Sequence, residues 1–118
     1  MQVISYSLKT NDPEKRLKFA DAVAIDLLKK LGPDVDKTRL NVRRKIKHGD
    51  LTAAEVVGTF VNKEGDRLVT RVVAFDNPGT PHGLVGIVVG HPRQGKIKKV
   101  SDIFDTSASL AFETVVFK

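Results

Sequence analysis

Residues 12–33 read DPEKRLKFADAVAIDLLKKLGP, and residues 39–47 read RLNVRRKIK. The two stretches follow different periods, and that contrast decides the fold. At about 100° per residue, Leu17, Ala20, Val23, Ala24, Leu27, Leu28 and Leu31 fall in one broad arc. Glu14, Lys15, Lys18, Asp21, Asp26 and Lys29 take the other side. Asp12 suits the N-cap, and Pro13 suits the first helical position, where a missing N–H costs nothing. Glu14 near the start and Lys29 and Lys30 near the end complement the helix dipole. Gly32 is expected to close the helix in the left-handed conformation, with Pro33 preventing continuation. Ile25 lies among the charges, either as a lone exposed apolar residue or as part of a contact surface.

In the second stretch the period is two. Leu40, Val42 and Ile46 alternate with Arg39, Asn41, Arg43, Lys45 and Lys47, and Arg44 is the misfit on the apolar side. A helix would scatter those apolar residues, so the spacing predicts a strand. Working outward, residues 3–8 read as a strand with Val3, Ser5 and Ser7 on one face and Ile4, Tyr6 and Leu8 on the other. Residues 51–62 begin like a helix but carry Val56, Val57, Thr59, Phe60 and Val61, which favour a strand. The turn Lys63-Glu64-Gly65-Asp66 joins them to a strand at 67–75. Residues 76–81 make a loop by composition. Residues 84–89 form a short apolar strand suited to a central place, residues 91–99 a basic loop, 102–105 a helical turn and 110–117 a last strand. The expected architecture is a single α+β domain over residues 1–118. In it a mostly antiparallel sheet of about six strands packs on one amphipathic N-terminal helix.

The chain has 118 residues, enough for one core and no more. Its 41% hydrophobic and 29% charged content is that of a folded chain. The absence of cysteine excludes disulfides, thiol catalysis and cysteine-ligated zinc. No secretory signal and no membrane-length apolar run is found, so a cytoplasmic protein is expected.

Charge gives the main functional signal. The net charge is +6, and two acid-free windows hold half of the 20 lysines and arginines. Residues 37–48 contain Lys37, Arg39, Arg43, Arg44, Lys45 and Lys47; residues 91–99 contain Arg93, Lys96, Lys98 and Lys99. Clustered like charges repel, so such windows point to a polyanionic partner. On a strand, residues i and i+2 lie about 6.5–7 Å apart, close to the spacing of successive phosphates. Arg39, Arg43, Lys45 and Lys47 would then form a ladder along a nucleic-acid backbone, with Asn41 able to bond a base or sugar. Arg93, Lys96, Lys98 and Lys99 would add to it, and Arg67 and Arg71, on one face of the next hairpin strand, would extend the same surface where strand order puts them on that side. Contacts of this kind give affinity for RNA or DNA with little sequence choice. Edge-strand lysines that prevent aggregation would produce part of the same pattern. Tyr6, Phe60 and Phe75 suit the core better than base stacking, and no aromatic RNA-binding motif is present.

Chemistry is less visible. Gly90-His91-Pro92-Arg93-Gln94-Gly95-Lys96-Ile97 approaches a Walker A loop, but Ile97 replaces the magnesium-binding hydroxyl. His82 and His91 are the candidates for a metal-independent nuclease, whereas no set of residues has metal-ligand spacing and no cofactor is implied. A homo-oligomeric subunit that packages nucleic acid, such as a small viral coat protein in a virion, is the structural alternative. Sequence-tolerant binding of RNA or DNA is the expected function, with the packaging subunit and the nuclease as its alternatives.

Overall fold

The computed structural model describes residues 2–8, 11–48, 51–76 and 80–90. Their order is β1 (Gln2–Ser7), α1 (Pro13–Leu31), a 3₁₀ turn at Val35–Lys37, β2 (Arg39–His48), β3 (Leu51–Val61), β4 (Arg67–Asp76) and β5 (His82–Gly90). The strands form one sheet in the order β1-β5-β4-β3-β2, antiparallel at every pair. The chain starts at one edge and α1 carries it to the other. Four strands then meander back until β5 closes on β1. The α+β class is as expected, with five strands among the described residues. The expected strand at 110–117, the turn at 102–105 and the basic loop at 91–99 lie outside them.

The local signals act much as their chemistry suggests. Asp12 accepts a hydrogen bond from the backbone N–H of Glu14 at 3.0 Å, and Pro13 opens the helix. Gly32 departs from expectation: its φ of −101° and ψ of 155° are extended, not left-handed. Glycine is required there for space, since a β-carbon would sit 2.9 Å from the carbonyl oxygen of Val61. Residues 51–61 are strand throughout: they lie between β2 and β4, and residues 53–60 are buried on both faces. Gly65, with φ of 85°, supplies the left-handed residue of the β3–β4 turn. Among the described residues no helix is long and apolar enough to cross a membrane.

The core forms where α1 lies over β3 and β4. Ala20, Ala24 and Leu28 of the helix meet Ala54, Val56, Val72, Ala74, Val85 and Ile87 of the sheet. Ile25, expected among the charges, is half-buried and packs against this cluster. Phe60 and Phe75 are core residues. Beside the apolar seam lies a buried ion pair that periodicity did not reveal. Arg16 in the first turns of α1 donates to both carboxylate oxygens of Asp76 at the end of β4, at 2.5–3.1 Å. The hydrogen bond from Asp76 outweighs burial and raises the Arg16 pKa. A charged pair that is nearly dry needs both members.

Tyr6 crosses the sheet next to this pair and donates to the carbonyl of Phe75 at 2.8 Å. Its ring occupies the space that a side chain at Gly83 would fill. Gly83→Ala must therefore displace the ring and its hydrogen bond, and we expect a loss of roughly 2–3 kcal/mol in urea unfolding. Burial first, and the Asp76 charge second, push the Tyr6 phenol well above its ordinary pKa, against a smaller lowering by Arg16. The unfolded phenol titrates near pH 10. The stability lent by the neutral ring is thus complete below that pH and disappears as pH rises through the higher folded value. Tyr6 is the single tyrosine, so tyrosinate absorbance should appear together with the loss of helical circular dichroism.

Candidate nucleic-acid interface

β2 is an edge strand of the described sheet and holds the first basic window. Directly opposed residues of an antiparallel pair share a face, so the register with β3 assigns each side chain. Arg43, Lys45 and Lys47 oppose Val56, Ala54 and Thr52, and Val56 and Ala54 belong to the core under α1. These three cations are therefore on the helix side. Val42, Arg44 and Ile46 oppose Val57, Glu55 and Ala53 on the reverse side.

The alternation breaks at Asn41. Leu40 opposes Gly58 and Val42 opposes Val57, so β2 contains one residue more than its partner there. This bulge places Leu40 on the helix side with the cations and Arg39 on the reverse side. The expected four-residue ladder is thereby corrected to three, Arg43, Lys45 and Lys47, with Asn41 at the bulge and Arg39 behind. Gly58 makes the bulge possible, because a β-carbon there would overlap the carbonyl oxygen of Arg39.

Neighbouring acids divide the cations further. Asp21 of α1 accepts from the Arg43 Nε at 3.0 Å and forms a second, shorter bond with its Nη2. That hydrogen bond first, and the Asp21 charge second, raise the Arg43 pKa. Arg39, Lys45 and Lys47 are exposed and form no ion pair with a described residue. Lys18 and Leu17 of α1 face Arg43 and Lys45 across a groove of about 240 Å³. The helix thus supplies one acid and one further base to the same side.

On the reverse side Arg44 finds the partner that explains its place in the apolar row. Glu55 is fully buried and accepts from Arg44 at 2.5 Å and from Arg71 of β4 at 2.9 Å. Arg67 donates to Thr59 at 2.8 Å and to the Lys37 carbonyl at 3.1 Å. Arg67 and Arg71 accordingly do not extend the helix-side row, which corrects the expectation of one shared surface. Arg93, Lys96, Lys98, Lys99 and His91 lie outside the described residues. His82 is exposed at the start of β5, three strand spacings or roughly 14 Å from β2. Among the described residues no group of three or more acids and histidines is arranged to hold a metal ion.

No protein-family model matches the chain, and no curated protein does. The fold is similar to the crystal structure of a Pseudomonas aeruginosa protein of unknown function named only as a candidate regulator. The two superpose at a TM-score of 0.59 with 19% identity, over 99% of this chain and 83% of that one. At that identity the likeness establishes the fold alone.

The two acids that organise the cations should differ in weight. Glu55→Gln leaves two guanidinium groups around a buried neutral amide and is expected to cost on the order of 3 kcal/mol in chemical denaturation. Asp21→Asn, which breaks an exposed pair, should leave the denaturation midpoint unchanged.

Proposed function

We propose that the protein binds the backbone of a nucleic acid along the helix side of β2, without strong sequence preference. The observation that carries this reading is the row Arg43, Lys45 and Lys47 on one side of an edge strand. Lys18 stands across the groove, and among the described residues Asp21 is the one acid that pairs with the row. Alternate residues of a strand repeat at about 6.5–7 Å, so consecutive cations can meet consecutive phosphates. Lys45 and Lys47 engage as free point charges. Arg43, whose guanidinium plane is already fixed by Asp21, turns its remaining donors outward. Arg39 and Asn41 contribute from the reverse side and from the bulge, and Arg93, Lys96, Lys98 and Lys99 add charge from the second window. Phosphate contacts of this kind position a ligand and leave its sequence unread.

The reading predicts a particular salt dependence. Retention of a labelled oligonucleotide, followed by fluorescence anisotropy, should fall linearly on a log–log plot against salt concentration. Lys45→Gln with Lys47→Gln removes two phosphate contacts. It should flatten that slope by about 1.4 for a single strand, with circular dichroism unchanged. An unaltered slope in the double variant removes β2 as the binding edge.

A further inference from the structure

We infer that the nucleic acid held at β2 is a single strand, one of whose bases leaves the stack and rests in an apolar recess at the Leu40 end of the cation row. This inference rests on the phosphate-tracking reading of β2 and names the class of strand it takes.

The recess lies between α1 and β2, has a volume of about 90 Å³, and is lined by Ile25, Leu28, Lys29, Val35, Thr38 and Leu40. Its rim is wet and apolar together: Val35 is 51% exposed and Leu40 47%. Two large aliphatic side chains left in water beside a row of cations need a reason that charge alone does not give. The bulge supplies the connection. In a regular strand Leu40 would share the reverse side with Val42 and Ile46; the extra residue at Asn41 turns it to the helix side, in line with Arg43, Lys45 and Lys47. Gly58 is what allows β2 to approach closely enough for this. The backbone is thus shaped so that one continuous row presents an apolar end and a cationic end.

A ligand matching that row carries regularly spaced negative charge and an apolar surface on the same side. A duplex does not, because its bases are paired inside and its outer surface is phosphate and sugar. An extended single strand does, because each unpaired base exposes a flat apolar face beside its phosphate. Because of the bulge, Leu40 and Arg43 oppose Gly58 and Val56, two residues apart on β3, so they lie roughly 7 Å apart along the strand and the base belongs to the nucleotide next to the phosphate at Arg43. Lys29 at the rim of the recess can meet the next phosphate. The recess has no aromatic platform and holds the base by apolar burial, which favours no particular base.

Three probes of equal length test this: an oligothymidylate, an abasic oligomer and a duplex. The oligothymidylate should bind about tenfold more tightly than the abasic oligomer, the factor given by removing roughly 55 Å² of apolar surface from water. The duplex should bind more weakly than the oligothymidylate. Val35→Asn with Leu40→Asn changes two exposed positions. It should bring the oligothymidylate down to the abasic affinity while leaving the salt slope intact, whereas Lys45→Gln with Lys47→Gln should weaken all three probes. Equal binding of thymidylate and abasic oligomers, a preference for duplex, or a Val35/Leu40 variant with unchanged ratio overturns the base recess and leaves the phosphate row standing. Dimerisation of the free protein that Val35→Asn with Leu40→Asn abolishes would assign the recess to a second copy and overturn it likewise. Failure to retain any of the three probes overturns both readings together.

Discussion

Alanine against alanine fixes how closely α1 lies on the sheet, and most of the remaining architecture follows from that approach. Ala20 and Ala24 on the helix and Ala54 and Ala74 on β3 and β4 are completely buried in one cluster. Larger residues at this seam would lift the helix and leave Leu28 and Val56 unfilled space beside them, which cores do not tolerate. Because the seam is centred on β3 and β4, the helix does not reach over the outer part of β2. Among the described residues this part of β2 has no element packed over it, and the groove between α1 and β2 is the geometric result. The same approach brings Asp21 within reach of Arg43, and Arg16 within reach of Asp76.

Much of the scaffold was legible because it depends on local chemistry. The Asp12-Pro13 start, the period-two run at 39–47 and the Gly65 turn are decided by residues close in sequence, and their outcomes agree with that chemistry. The alternation in β1 also agrees: Val3, Ser5 and Ser7 are exposed, while Ile4, Tyr6 and Leu8 are covered to different degrees. What was not legible depends on contacts across the fold. Gly32 looked like a conformational necessity and is a steric one, since its neighbour is Val61. Residues 51–55 carry helix-start chemistry that the sheet overrides, because pairing with flanking strands and the burial of residues 53–55 outweigh a local cap. Arg16 belongs to neither the apolar arc nor the charged side read from the helical period, and it is buried. Its partner is 60 residues away in sequence, and no periodicity contains that information.

The candidate site was half legible for a related reason. The sequence locates where cations are concentrated along the chain; only the register locates them in space. Alternation alone placed Arg39 with Arg43, Lys45 and Lys47, and one extra residue at Asn41 is enough to reverse that. A signal for the bulge existed in Gly58, a glycine between β-branched Val57 and Thr59 inside a strand, which is where close backbone approach is expected. Arg44 carried a signal too. An arginine in an apolar row requires a buried acid, and Glu55 in the following strand was the acid within hairpin reach. Taken together, Glu55 and Asp21 separate the cations: Arg44 and Arg71 hold the reverse side together, Arg43 is shared, and Lys45 and Lys47 pair with no acid among the described residues.

Edge protection and ligand binding both place lysine on an outer strand, so the lysines alone do not distinguish them. The other features of β2 bear on the proposed binding. Protection against edge-to-edge pairing is a matter of charge density and is served as well by residues on either side of the strand. It gives no reason to turn Leu40 onto the side that bears Arg43, Lys45 and Lys47, and it is weakened by leaving Leu40 and Val35 wet beside a groove. A bulge does disrupt pairing by itself, but it would do so with a polar residue at position 40 just as well. An apolar side chain re-aimed into line with three cations, across from a glycine that permits the close approach, is the arrangement a ligand of mixed character requires. The conformation of β2 around Asn41, more than the amount of charge on it, is therefore the feature on which the proposed binding rests.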